Sequence, residues 1–299
     1  MSTPGSDGNS RPLDGNCRPL DGAGGADEDG GGDVVDRAVG RLAAAAASGV
    51  PCAPVRDLIG SDASNAYEVQ ERATQLRIRD GATIVGRKIG LTSQAARDQF
   101  GVDEPDIGVL FDDMSRPDGA TVSLDELIQP MVEAEVAFVL GDDLVDGELD
   151  VARVRAAVRE CRAAFEIVDS RIATWDITIG DTIADNGSSG LFVLSETGRT
   201  LDEVEPAEVE MEVRRDGEVV SSGRGDACLG DPLNALVWLA QTARELGRPL
   251  RSGEVVLSGA LGPMVVVAGG EHFVAEMTGL GTVSVSFDVR GEDAATTTP

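Results

Sequence analysis

Val209-Glu210-Met211-Glu212-Val213 alternates apolar and acidic residues without a break, and it runs through Arg214 and Arg215 into Asp216-Gly217. A period of two sends every second side chain to one face of an extended chain, so this stretch reads as a strand with one face buried. Asp-Gly supplies the positive φ of a two-residue hairpin turn, and Val219–Gly223 is the returning partner of Glu208–Arg214. Working outward, residues 254–258, 263–268, 271–278 and 282–288 read as successive strands between Gly-rich turns. Upstream, Val132 to Leu140 alternates and then runs apolar, which predicts another strand. Helical patterns fall near 33–48, 62–79, 150–164 and 232–246. The last has a capping Asp231, a first-turn Pro232 and a closing Gly247. The pattern is α+β with a β-rich second half, and it lacks the regular βαβ alternation of a dinucleotide-binding fold. No GxGxxG or P-loop opens a helix, so no nucleotide cofactor is indicated.

Composition narrows the function classes. Of 299 residues 41% are hydrophobic but only 3% aromatic, so the core must be built from Ala, Val, Leu and Ile. With 53 acidic against 25 basic residues the formal net charge is −28, the opposite of what a nucleic-acid binder needs. No apolar run reaches membrane-span length and no signal-like segment opens the chain, so the expectation is a soluble, cytoplasmic protein without membrane or nucleic-acid partners. Every basic side chain apart from His272 is arginine except Lys88. Acid-rich, lysine-poor composition is similar to that of proteins from salt-loving organisms, although a GC-rich genome also favours Arg and Ala. Cys17, Cys52, Cys161 and Cys228 form no CxxC pair and read as isolated thiols. His272, the sole histidine, falls in the alternation 271–276 as a surface strand residue, which leaves His-dependent triads unsupported. Residues 1–32 are Gly-, Asp- and Ser-rich, with Arg11-Pro12-Leu13-Asp14-Gly15 returning as Arg18-Pro19-Leu20-Asp21-Gly22. They and residues 291–299 read as disordered tails around one domain at 33–290, helical to about 80 and β-rich from about 81.

Two features carry chemistry. In Pro130-Met131-Val132-Glu133-Ala134-Glu135-Val136, carboxylates at i and i+2 share one face of an apolar strand. Like charges in a partly buried place repel unless a cation neutralises them, and hard oxygen ligands select Mg²⁺ or Mn²⁺ over zinc. Glu166 adds a carboxylate in an apolar setting after the predicted 150–164 helix. On spacing alone a solvated surface is the stronger reading of these acids. The other feature is Lys88: an ammonium is a compact charge that can exchange protons, and a merely structural lysine would tolerate Arg.

The runs 86–93, 101–110, 132–135, 165–172, 181–190, 220–225 and 259–264 resemble, in order, the 2-keto-4-pentenoate hydratases of the fumarylacetoacetate hydrolase superfamily. The resemblance spans roughly residues 35–288, and it overturns the surface reading of the glutamates. It implies the superfamily's rolled mixed β-sheet core with flanking helices in a catalytic domain, usually within homo-oligomers. It places the metal, Mg²⁺ or Mn²⁺, on Glu133, Glu135 and Glu166. Catalytic roles fall on Lys88 and Asp106, and substrate contacts on Ser188 and Leu91. The implied substrate is a small 2-hydroxy-dienoate (a 2-oxo acid tautomer), and a complex with a pathway aldolase or decarboxylase is an accompanying expectation. The related 2-oxo-3-hexenedioate decarboxylase and a catalytically silent member are the rival readings. Asp231 replaces an expected His as a helix cap, and Gly187 replaces a common Ala as a minor change.

Overall fold

The computed structural model describes residues 30–60 and 63–291. The expected tails at 1–32 and 291–299 lie almost wholly outside the described residues, although helix α1 (Gly30–Ser48) already begins at Gly30. Val35, Val39 and Leu42 recur at a spacing of three and four, forming the apolar stripe of α1. The stripe packs with Ala66 and Val69 of α3 (Ala63–Arg79) and with Ile59 of the short α2 (Arg56–Ile59) as a satellite core.

The main body holds two mixed sheets. The first comprises β1 (Ile84–Gly90), β2 (Asp106–Phe111), β3 (Ser115–Arg116), β5 (Met131–Leu140), β6 (Val158–Val168), β7 (Ser189–Leu194), β10 (Val255–Ala260) and β11 (Val265–Val266). Its order is β2-β1-β10-β5-β6-β7-β3, with β11 on β5; β1 and β10 run parallel, as do β3 and β7. The second comprises β4 (Ala120–Val122), β8 (Glu210–Arg215), β9 (Glu218–Arg224), β12 (His272–Met277) and β13 (Gly281–Phe287), ordered β4-β13-β12-β8-β9. Strands β12 and β13 lie against β6, where Phe273 and Phe287 meet edge to face at 5.9 Å. The β8–β9 hairpin turns as predicted, with Asp216 at φ 50° and Gly217 at φ 90°. Asp231 caps α7 (Pro232–Glu245) by accepting from the Leu233 amide at 2.8 Å. His272 is exposed on β12. Among the described residues no helix is long and apolar enough to cross a membrane.

One expectation is corrected. The helix predicted over 150–164 stops at Ala157, as α5 (Val151–Ala157), and β6 begins at Val158. The alanines and arginines of 153–164 favour a helix, but β6 pairs with β5 from Met131↔Val168 to Leu140↔Val158. That central ladder outweighs a local preference worth only tenths of a kcal/mol per residue. The sequence reading also missed α4 (Gln94–Phe100) and α6 (Ile179–Ala184), each too short to establish a periodicity.

Candidate active site

The alternation of β5 puts Glu133 and Glu135 on one face, and the register sets Glu166 of β6 directly opposite Glu133. Both strands are central, so Glu135 and Glu166 are fully buried and Glu133 nearly so. Oxygens of the three carboxylates lie within 4.8 Å of one another. Two strands from β5, β1 delivers the buried Lys88, whose Nζ stands 3.3 Å from Glu166 Oε1. Asp106 opens β2 opposite Gly90; a Cβ at Gly90 would strike Asp106 Oδ1, so the missing side chain makes room for the carboxyl.

Strand β10 lies between β1 and β5, and its register slips between Leu257 and Ala260. Such a bulge releases backbone groups from the ladder. Here it turns the Gly259 amide onto Glu135 Oε2 at 2.7 Å. Gly259 has φ +106°, and a Cβ there would sit 2.1 Å from Thr92 Oγ1. Only glycine fits this position. Behind the bulge the Cys228 thiol donates to the Ser258 carbonyl, and burial pushes that thiol up to about 12.

Burial dominates the electrostatics. It raises Glu133 to about 8, with the Glu166 charge as the next cause. Glu135 is lifted well above its ordinary value by burial and then by Glu166 and Glu133. Burial also raises Glu166 and Asp106, against the opposing charge of Lys88. For Lys88 burial would disfavour the charge, but Glu166, Asp106, Glu133 and Glu135 outweigh it and keep the ammonium charged. One oxygen of Glu135, Oε2 of Glu166 and one oxygen of Asp106 are buried without a hydrogen-bond partner, and Glu166 Oε1 has only the Lys88 ammonium beside it. Orphaned carboxylate oxygens this close together are costly, and an oxygen-only donor set suits a hard divalent cation. The residues present fit such an ion.

The turn Asn186-Gly187-Ser188 packs against Lys88. All three residues have left-handed φ, at 57°, 61° and 52°. A Cβ at Gly187 would stand 2.5 Å from Lys88 Cε and 3.2 Å from its Nζ. The glycine for alanine is therefore no minor change, because an alanine here would make the lysine move. Ser188 is buried, and its hydroxyl faces Thr182 at 3.4 Å and Asp185 at 3.5 Å. The neighbouring Ser189 hydroxyl is the one that abuts Gly108, alongside the Lys88 stem, and it has no partner. Leu91 follows β1 with φ 58°, and its carbonyl accepts from Arg97. The structure thus gathers Lys88, Asp106, Glu133, Glu135 and Glu166, with Ser188 and Leu91 at the flanks. Sequence reasoning missed Asn186, Ser189, Thr92 and the roles of Gly90 and Gly259. The signal was the run of glycines at positions facing charged side chains.

The signature described as the fumarylacetoacetate (FAA) hydrolase C-terminal family matches residues 83–287, which include every strand described above. The chain belongs to the fumarylacetoacetate hydrolase family. Within this family it is 52% identical over 254 residues to the TodF product hydratase of Pseudomonas putida, covering 85% of this chain and 95% of that one. It is 49% identical over 253 residues to 2-keto-4-pentenoate hydratase 2 of Dechloromonas aromatica, covering 84% and 97%. Among solved structures, the 4-oxalocrotonate decarboxylase of Pseudomonas putida G7, complexed with magnesium and adipate, superposes with a TM-score of 0.80. It is 31% identical and covers 84% of this chain and 97% of that one.

Proposed function

We propose that this family member is a divalent-metal-dependent hydro-lyase that adds water to 2-hydroxypenta-2,4-dienoate to give 4-hydroxy-2-oxopentanoate, in the breakdown of aromatic compounds. The observation that carries the reading is one buried face on which three carboxylates, one ammonium and one further carboxyl converge, in a chain about half identical to named hydratases. Glu133, Glu135 and Glu166 would hold Mg²⁺ or Mn²⁺. When bound, the ion supplies Lewis-acid polarisation at the substrate's carboxylate and 2-oxygen.

The rest is work for the chain's own groups. The reaction takes a proton from the 2-hydroxyl and delivers one to C5, giving an α,β-unsaturated 2-oxo acid. Water then adds across the remaining double bond, hydroxyl to C4 and proton to C3. Lys88 holds a proton at Nζ under the pull of four carboxylates, and Asp106, raised by burial, can take or return one. The Gly259 amide orients Glu135, and the closed packing of β1, β5, β6 and β10 excludes bulk water. Homo-oligomerisation belongs to the same reading, and sedimentation of the metal-loaded protein tests it.

The likeness to the decarboxylase structure sustains a second reading, loss of CO₂ from a 2-oxo-3-hexenedioate. Incubating the protein and Mg²⁺ with each dienoate and weighing the products separates the two. A gain of water supports the hydratase, loss of CO₂ the decarboxylase, and absence of turnover overturns both. Each of Glu133→Gln, Glu135→Gln and Glu166→Gln should weaken metal binding and remove activity while leaving the circular-dichroism spectrum intact. Full activity in thorough chelator without added metal would sink the ligand assignment.

A further inference from the structure

Asn186 holds an edge strand from outside. Its Oδ1 accepts from the Val109 amide at 2.8 Å, and its Nδ2 donates to the Val109 carbonyl at 2.9 Å. Its carboxamide thus engages both backbone groups of one β2 residue, as a neighbouring strand would. Strand β2 carries Asp106 three residues away, and among the described residues it pairs only with β1. The same turn presents Gly187 as bare backbone against Lys88. The position of a Gly187 Cβ is 3.2 Å from Lys88 Nζ and 3.5 Å from Asp106 Oδ2. The Asn186 carbonyl in turn abuts Gly108, the ladder partner of Lys88. Three consecutive left-handed residues, two of them not glycine, are a costly conformation, which persists only where surroundings enforce it. The turn is held by Asn186 on Val109 and by Ser188 on Asp185 and Asp169, and it sets Gly187 against the Lys88–Asp106 pair.

We propose that Asn186 is a positioning residue: its two-point clamp on Val109 fixes β2 and the turn together, and so sets where Asp106 and the Lys88 ammonium stand relative to each other. This rests on the hydratase reading only for its kinetic consequence. The clamp matters through geometry, because a displacement of about 1 Å at reacting groups costs about 10²-fold in rate. Its carboxamide bonds Val109 and not the three glutamates.

The chain's single lysine provides a test that needs no turnover. In the full-length, Mn²⁺-loaded protein, Lys88 is the only side-chain amine an acetylating reagent meets, and peptide mass spectrometry follows its N-acetylation alone. Asn186→Ala should speed Lys88 acetylation by about tenfold through local opening. It should lower kcat by about 10²-fold while KM and Mn²⁺ affinity stay within about threefold. Asn186→Asp keeps the shape and the acceptor but lacks the donor to the Val109 carbonyl, and it should behave like Asn186→Ala; it also serves if the alanine variant does not fold. Unchanged acetylation and kcat in either folded variant overturn the proposal. So do changes that merely track a fall in Tm or a loss of Mn²⁺ binding, which would show a general structural role. If the wild type fails to hydrate the dienoate, the function reading falls, while the acetylation rates still decide the role of Asn186.

Discussion

Removing the metal and varying pH tests the buried triad directly. Glu133 is raised to about 8 and Glu135 lies well above its ordinary value, so without an ion the cluster keeps at least one proton at neutral pH. A divalent cation must displace that proton, and each proton displaced makes apparent affinity rise about tenfold per pH unit. Between about pH 5.5 and about pH 7.5 the slope of log affinity against pH should therefore lie between about one and about two. Calorimetric titration with Mn²⁺ in two buffers of different ionisation enthalpy counts the protons released. Stability should follow the same groups with a definite sign. The ordinary glutamate value is 4.5, so between there and about 8 the metal-free folded protein binds more protons than the unfolded chain. Its stability must then fall as pH rises through that window, and be independent of these groups below it. With saturating metal the carboxylates are ionised and compensated, and the decline should vanish. A pH-independent affinity with no proton release would refute the picture of a desolvated, self-repelling triad.

Lys88→Arg should lose about 10²–10⁴-fold in rate, because the planar guanidinium cannot put a single compact donor where the ammonium stands. The wall at Gly187 also leaves it no room. Lys88→Met should be at least as damaging, and near-normal turnover of the Arg variant alone would reduce Lys88 to a fixed charge. Gly259→Ala places a Cβ on Thr92 Oγ1 in a left-handed backbone; the melting temperature should fall by about 5–10 °C and Mn²⁺ affinity should drop, as scanning calorimetry and titration would show. With a net charge of −28, Tm and activity should rise from about 0.1 M to about 2 M salt as repulsion is screened; indifference to salt would leave only genome composition to explain the acidity.

The β-rich half was legible because strand periodicity is local: β5, the β8–β9 hairpin, β12 and β13 each show it within a few residues. The 150–164 segment failed because its fate depends on a partner strand some twenty residues upstream, which no window over the segment contains. Glu133 and Glu135 were readable as a same-face pair, but Glu166 joins them through cross-strand register, which the family resemblance supplied and spacing could not. The left-handed turn at 186–188 and the Gly259 bulge were out of reach for a further reason. Each is set by contacts at a distance in sequence, Val109 for one and Thr92 with Glu135 for the other.

The order of strands in the first sheet also has a kinetic meaning. Lys88 rides on β1, which is joined to the glutamate-bearing β5 only through β10, more than 160 residues later in the chain. A chain emerging from the ribosome can form the β5–β6 hairpin early, but β1 has no strand joining it to β5 until Val255–Ala260 has been made. The long-range closure that seats β10 is intrinsically slow. Arrival of β10 between β1 and β5 supplies in one event the Gly259 amide and the register for Lys88, so competence for chemistry comes as a late, all-or-none product of folding.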